Sequence, residues 1–257
     1  MIVVSARAAA SLAATIGMLT LAGSAAAQHA TFRIKGHVKT ERGEPVADAE
    51  VRVEAFYGYA AGTFAGQRTF AERTNAKGDW SVAGLQPGVW MFTVLAPGFL
   101  PETVVLPPRL ITTVSQGLSG MALIWDLVLK PQRTFDSPRA GVLTAAAAAA
   151  AAGKHDDARS ALSSVPFDAD GDYLAAAGRI ALLAHDAALA STLFRRAIEI
   201  DPSSYRATLG IASAFLVQRD FDGASKAFDA ARTRTRDKDE QKFISAAIGE
   251  LSAIMVR

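Results

Sequence analysis

Ala190, Phe194 and Ala197 recur as Ala224, Phe228 and Ala231, the same small–large–small triplet moved 34 residues along the chain. A repeat of that length constrains the fold more than any composition figure. Each unit is one supersecondary element that cannot bury its apolar face alone, so neighbours must stack. The spacing within the triplet is helical, which puts its three side chains on one helix face. Small residues on that face let antiparallel helices approach closely, and the Phe fills the gap between them.

Pro202 closes the first unit, at about 171–204, which also carries Leu174, Gly178 and Ala181. The second, at about 205–238, carries Ile211, Ala212 and Phe215, and has Arg236 where a closing proline is expected. These positions resemble tetratricopeptide repeats. The segment 139–166 resembles a degenerate repeat, with Ala158, Leu162 and Val165 as its triplet, and 239–254 reads as a capping helix. The eight alanines 145–152 read as the first helix of that degenerate repeat, packed close for want of side chains. The resemblance implies a concave face that binds a protein or peptide, lined by Asp172, Ala175, Ala176, Arg179, Arg206, Leu209, Ser213 and Leu216. Arg179 and Arg206 are candidates for a peptide carboxylate, held by paired hydrogen bonds. The plain alternative is two solvated arginines on a short stack.

Upstream the period changes to two. Ala49, Val51, Val53 and Ala55 alternate with Glu50, Arg52 and Glu54, the pattern of a half-buried antiparallel strand. Thr74–Trp80 reads as strand, tight turn, strand, with Gly78 supplying the positive φ. Turns at 41–45, 86–88 and 97–99, with strands near 102–106 and 121–129, give about seven short strands, the signature of a sandwich. Gly36-His37-Val38, then 43–53, 74–82, 84–90 and Ala96-Pro97-Gly98-Phe99 resemble, in that order, the carboxypeptidase regulatory-like domain over about 31–106. That resemblance implies a seven-stranded Greek-key sandwich of the transthyretin (prealbumin-like) type, an accessory module often grouped with carbohydrate-binding folds. Residues 57–68 read as an exposed loop. Phe56, Tyr57, Tyr59 and Phe64, in and beside it, are candidates for stacking on sugar rings, or else cover a sheet edge.

The expected fold is therefore multidomain β + α: a signal peptide at 1–27, the sandwich at 28–130, a linker at 131–138 and the helical stack at 139–257. Residues 8–22 are apolar, follow Arg7, and end in small residues at 23–27, so cleavage after Ala27 and a periplasmic or secreted location are expected. Uncleaved, the same segment would be a weak N-terminal anchor.

Chemistry is scarce. The chain has no cysteine, which excludes disulfides, thiolate nucleophiles and zinc–thiolate sites. Net charge is +2, with 11 Lys/Arg against 9 Asp/Glu in 28–135 and 15 against 16 in 136–257, so no basic stripe suits nucleic acid. His29, His37, His155 and His185 are scattered with no zinc-binding spacing, and there is no G-x-S-x-G elbow, P-loop or dinucleotide fingerprint. The Tyr-Arg-Gly-Ser signature of transthyretin-like hydrolases is missing as well. Asp168, Asp170 and Asp172 resemble a calcium loop, but Arg179 stands where the closing acidic ligand belongs, so helix capping by the last carboxylate is the expectation. No enzyme, metal or cofactor is expected. The function read from the sequence is an exported protein-binding scaffold, with glycan or envelope binding through the sandwich as the alternative.

Overall fold

The structure is a computed structural model that describes residues 32–58, 68–85, 88–106, 123–124, 127–132, 135, 137–166 and 168–255. The signal segment 1–27 and the aromatics Tyr59 and Phe64 lie outside the described residues.

Strands β1 (Phe32–Thr40), β2 (Glu50–Gly58), β3 (Thr69–Arg73), β4 (Asp79–Leu85), β5 (Gly88–Leu95), β6 (Glu102–Leu106), β7 (Leu123–Ile124) and β8 (Leu127–Leu129) form two sheets. One has the order β4-β1-β7, with β8 also on β1; the other is β3-β2-β5-β6. β7 and β8 both run parallel to β1, so together they occupy the place of the strand expected near 121–129. The sheets face each other across an apolar core, with the Trp80 and Phe92 rings 6.1 Å apart.

The tight turn before Trp80 is present, but it does not join a hairpin. β3 pairs with β2 and β4 with β1, so the turn hands the chain from one sheet to the other. Asn75 Oδ1 accepts from the backbone N–H of Lys77 and Asp79, at 2.8 and 3.0 Å. Gly78, at φ +77°, sits so close to β1 that a Cβ there would stand 2.4 Å from the Val38 carbonyl oxygen. Only glycine fits both demands.

The second half holds helices α1 (Ser137–Ala151), α2 (His155–Leu162), α3 (Gly171–Leu183), α4 (Ala187–Ile200), α5 (Tyr205–Val217), α6 (Phe221–Arg234) and α7 (Lys238–Met255). α1/α2, α3/α4 and α5/α6 are antiparallel pairs that stack in order, and α7 covers α6. Each pair turns on a left-handed residue: Gly153, His185 and Arg219, at φ +73°, +58° and +61°. The backbone N–H of Lys154, Asp186 and Asp220 then donates five residues back, to Ala149, Ala181 and Phe215, each at 2.9 Å. This is one C-terminal helix cap used three times, and it marks the α1/α2 pair as a true member of the series. Asp170, Asp186, Ser204 and Asp220 cap α3 to α6 by accepting from the N–H three residues on. The cap of α3 is thus the middle carboxylate, Asp170, where the last was expected. Asp172 stands in the first helical turn with another partner.

Phe194 explains the small residues. Its ring lies against the backbones of Gly178 on α3 and Gly210 on α5, where added Cβ atoms would come within 2.8 and 2.4 Å of it. The alanine tract behaves as expected: Ala146, Ala147 and Ala150 are buried and let α1 sit close to its neighbours.

The segment between the halves is tied at both ends. Leu100 N donates to Lys130 O and Gln132 N to Gly98 O. Phe135 packs edge-on against Tyr173 of α3, with ring centres 5.2 Å apart.

Candidate functional site

β5 is buried along its length, from Gly88 through Val94. A strand in a two-sheet layer has one core face, so a second cover is required. The register identifies it. Val51, Val53, Phe92, Val94 and Val104 face the other sheet, which leaves Arg52, Glu54, Met91, Thr93, Thr103 and Val105 on the outer face. That face lies under the helical stack. Arg52 donates to the Ala151 carbonyl at the end of α1, at 2.9 Å. His185, in the α3–α4 turn, approaches Glu54 at 3.5 Å and packs on the Phe56 ring at 5.2 Å. His155 of α2 stacks on His185 at 4.6 Å. The Thr93 and Thr103 hydroxyls, both buried, stand 3.5 Å apart.

The face of the stack formed by α3 and α5, expected to be an open concave groove, is therefore occupied by the chain's own β6. The backbone N–H of Val105 donates to Ser213 Oγ of α5, at 3.1 Å, both groups buried. Arg179 of α3 lies 3.2 Å from Glu102 Oε2, with the arginine only 4% exposed. At the margins Asp172 accepts from Lys130 Nζ at 2.5 Å, and Arg206 faces Glu41 at 3.8 Å. Leu216 is fully buried and Leu209 packs on the core from its edge.

The sequence reading placed these six residues on one face, and Asp172, Arg179, Arg206 and Ser213 do converge there. It did not foresee their partners. The groove expected to stand open is filled from within the chain. The alternation Glu50, Arg52, Glu54 signalled a face in water, whereas helices half-bury all three residues. The aromatic cluster proposed for sugar stacking loses Phe56 to His185. The backbone of Tyr57 belongs to β2 beyond a bulge, so the strand runs on to Gly58 where a loop was expected. The signal for the hidden face was available in β5, whose run Val89–Leu95 has no polar alternation beyond Thr93.

Electrostatics tune this seam. Burial pulls the Arg179 guanidinium below its ordinary value, against the opposing charge of Glu102. Its Nε and Nη1 have no hydrogen-bond acceptor, so Glu102 attracts without being aligned to bond. The hydrogen bond from His185 holds the Glu54 carboxyl below its usual value. Burial raises Asp172, but the Lys130 ammonium more than offsets it, and the net shift is downward. Near Arg206, burial pushes the Tyr205 hydroxyl and the Glu240 carboxyl up. Elsewhere, His37 and Asp79 pair at 2.7 Å on the exposed face of β1 and β4. Among the described residues, no group of three or more His, Asp or Glu is placed to hold a metal ion. No described helix is long and apolar enough to cross a membrane.

Residues 33–118 match the carboxypeptidase regulatory-like domain family. Among solved structures, the chain is similar to PcrH from Pseudomonas aeruginosa at 19% identity, over 47% of this chain and 94% of that one, with a TM-score of 0.37. The TPR2B domain of yeast Sti1 is similar at 18% identity, over 45% and 96%, with a TM-score of 0.37. Catechol 1,2-dioxygenase from Acinetobacter sp. ADP1 is similar at 13% identity, over 40% and 53%, with a TM-score of 0.30. Likenesses at these scores transfer no function. Among curated proteins, none matches the chain.

Proposed function

We propose that this chain is an exported, non-catalytic protein-binding scaffold. In this reading the two sheets are a Greek-key sandwich, with β7 and β8 as two parts of its seventh strand, and the helices are tetratricopeptide-type repeats. One observation carries it: the stack already grips extended polypeptide, through Ser213 on a strand N–H and Arg179 on a strand carboxylate. Recognising backbone in extended form is the work of a peptide-binding groove. The seam gives the scaffold stiffness, because polar pairs and packed apolar side chains on several elements fix the two parts together. Export rests on the N-terminal apolar segment and its small-residue end.

The test is crosslinking and co-purification of the full-length chain from its native envelope fraction, with N-terminal sequencing of the recovered protein. The reading expects a discrete polypeptide partner and a mature N-terminus at Gln28. Recovery from the cytoplasm with Met1 intact would overturn the export reading. Capture of envelope glycan with no polypeptide would overturn the scaffold reading.

A further inference from the structure

β6 is an incomplete occupant of the groove it fills. The Arg179 guanidinium is buried, and two of its nitrogens find no acceptor although Glu102 is 3.2 Å away. A buried donor left unmade is costly, and a planar guanidinium is best satisfied by a carboxylate that meets it with two parallel hydrogen bonds. Glu102 is fixed by the β5–β6 ladder, where it pairs with Val94, so its backbone is not free to reach that geometry. A separate chain has no such constraint.

We infer that β6 is a resident stand-in for an external ligand, an extended peptide presenting a carboxylate to Arg179 and a backbone N–H to Ser213. The sandwich then acts as a tethered plug. Held by the short segment 130–136, it competes at the high effective concentration of a short linker, so a peptide binds only when the seam has opened. This rests on the scaffold reading above and goes beyond it by naming the ligand chemistry and the gate.

The test uses the full chain. It lacks cysteine, so Lys77→Cys on the sandwich and Lys226→Cys on α6 take a single label pair for distance measurement. The probe is a fluorescein-labelled hexapeptide with the sequence of residues 101–106. Wild type is expected to give one short label distance and at least tenfold weaker peptide binding than Glu102→Lys, which places like charge against Arg179. The Glu102→Lys chain is expected to show a second, longer distance. Adding Arg179→Met to it should abolish binding while the longer distance persists, because the ammonium introduced at 102, no longer repelled, would still have to be buried without a counter-ion for the seam to close. If Glu102→Lys fails to fold, Glu102→Gln replaces it, with a smaller open fraction and the same order of affinities. An opened seam that does not bind the peptide, or binding that survives Arg179→Met, overturns the inference. A partner captured by wild type in its closed form would leave the scaffold reading standing while removing this gate.

Discussion

Arg179 takes its charge to a place that water does not reach, and the carboxylate that faces it at 3.2 Å is Glu102 on a different part of the fold. A buried charge that loses its partner costs more than the pair itself contributes, on the order of 3–5 kcal/mol. Glu102→Ala is therefore expected to lower stability by about that amount, measured by urea denaturation. Arg179→Met combined with Glu102→Gln removes both charges of the incompletely satisfied pair and keeps the stem that packs in the seam. It is expected to leave stability unchanged or raise it, and a loss above about 2 kcal/mol would show that the pair stabilises the fold. The position of Arg179 on the α3/α5 face was legible from repeat spacing alone. Its partner was not, because Glu102 lies 77 residues away in a strand whose own pattern says nothing about helices.

At the scale of elements, the helical pairs depend on how closely backbones approach. Phe194 fills the space between α3 and α5 because Gly178 and Gly210 leave it open. Phe194→Ala is expected to cost about 3–5 kcal/mol by thermal or urea unfolding. Gly210→Ala adds one methyl where the ring already stands, and should cost about 1–3 kcal/mol even though alanine is the better helix former. A stabilising Gly210→Ala would mean that the ring has room to move. The repeats were readable because identical spacing demands identical packing. The extra glycine at 210 falls outside the triplet, and its role arises only where the fold brings the Phe194 ring against it. The sheets were legible as strands and turns. Their pairing was less so, since Gly78 announces a tight turn without saying whether its strands share a sheet.

At the scale of the molecule, the outer face of the β2-β5-β6 region and the α3/α5 face of the stack are covers for each other. Sequence alternation marked Arg52 and Glu54 as polar and therefore wet, but polar residues that find partners can line a seam. Glu54 and Asp172 both have folded pKa values below their ordinary ones. Carboxyls of that kind add stability above their unfolded pKa, about 4, and lose it as pH falls through the lower folded value. The seam is thus expected to loosen below about pH 4, seen as faster hydrogen exchange in α3 and β6, and to lose that response in Glu54→Gln/Asp172→Asn.

The central claim is that sheets and helices form one cooperative unit, and the chain carries its own probes for it. All three tryptophans, Trp80, Trp90 and Trp125, precede α1, whereas every described helix follows residue 136. Trp80 and Trp90 lie in β4 and β5, so tryptophan fluorescence reports the half of the chain that precedes the helices, and circular dichroism at the helical band reports the stack. Urea unfolding of the full chain, followed by both signals in one titration, should give superimposable transitions with a single midpoint. Two separated midpoints, with the helical signal persisting after the fluorescence change is complete or the reverse, would contradict the account.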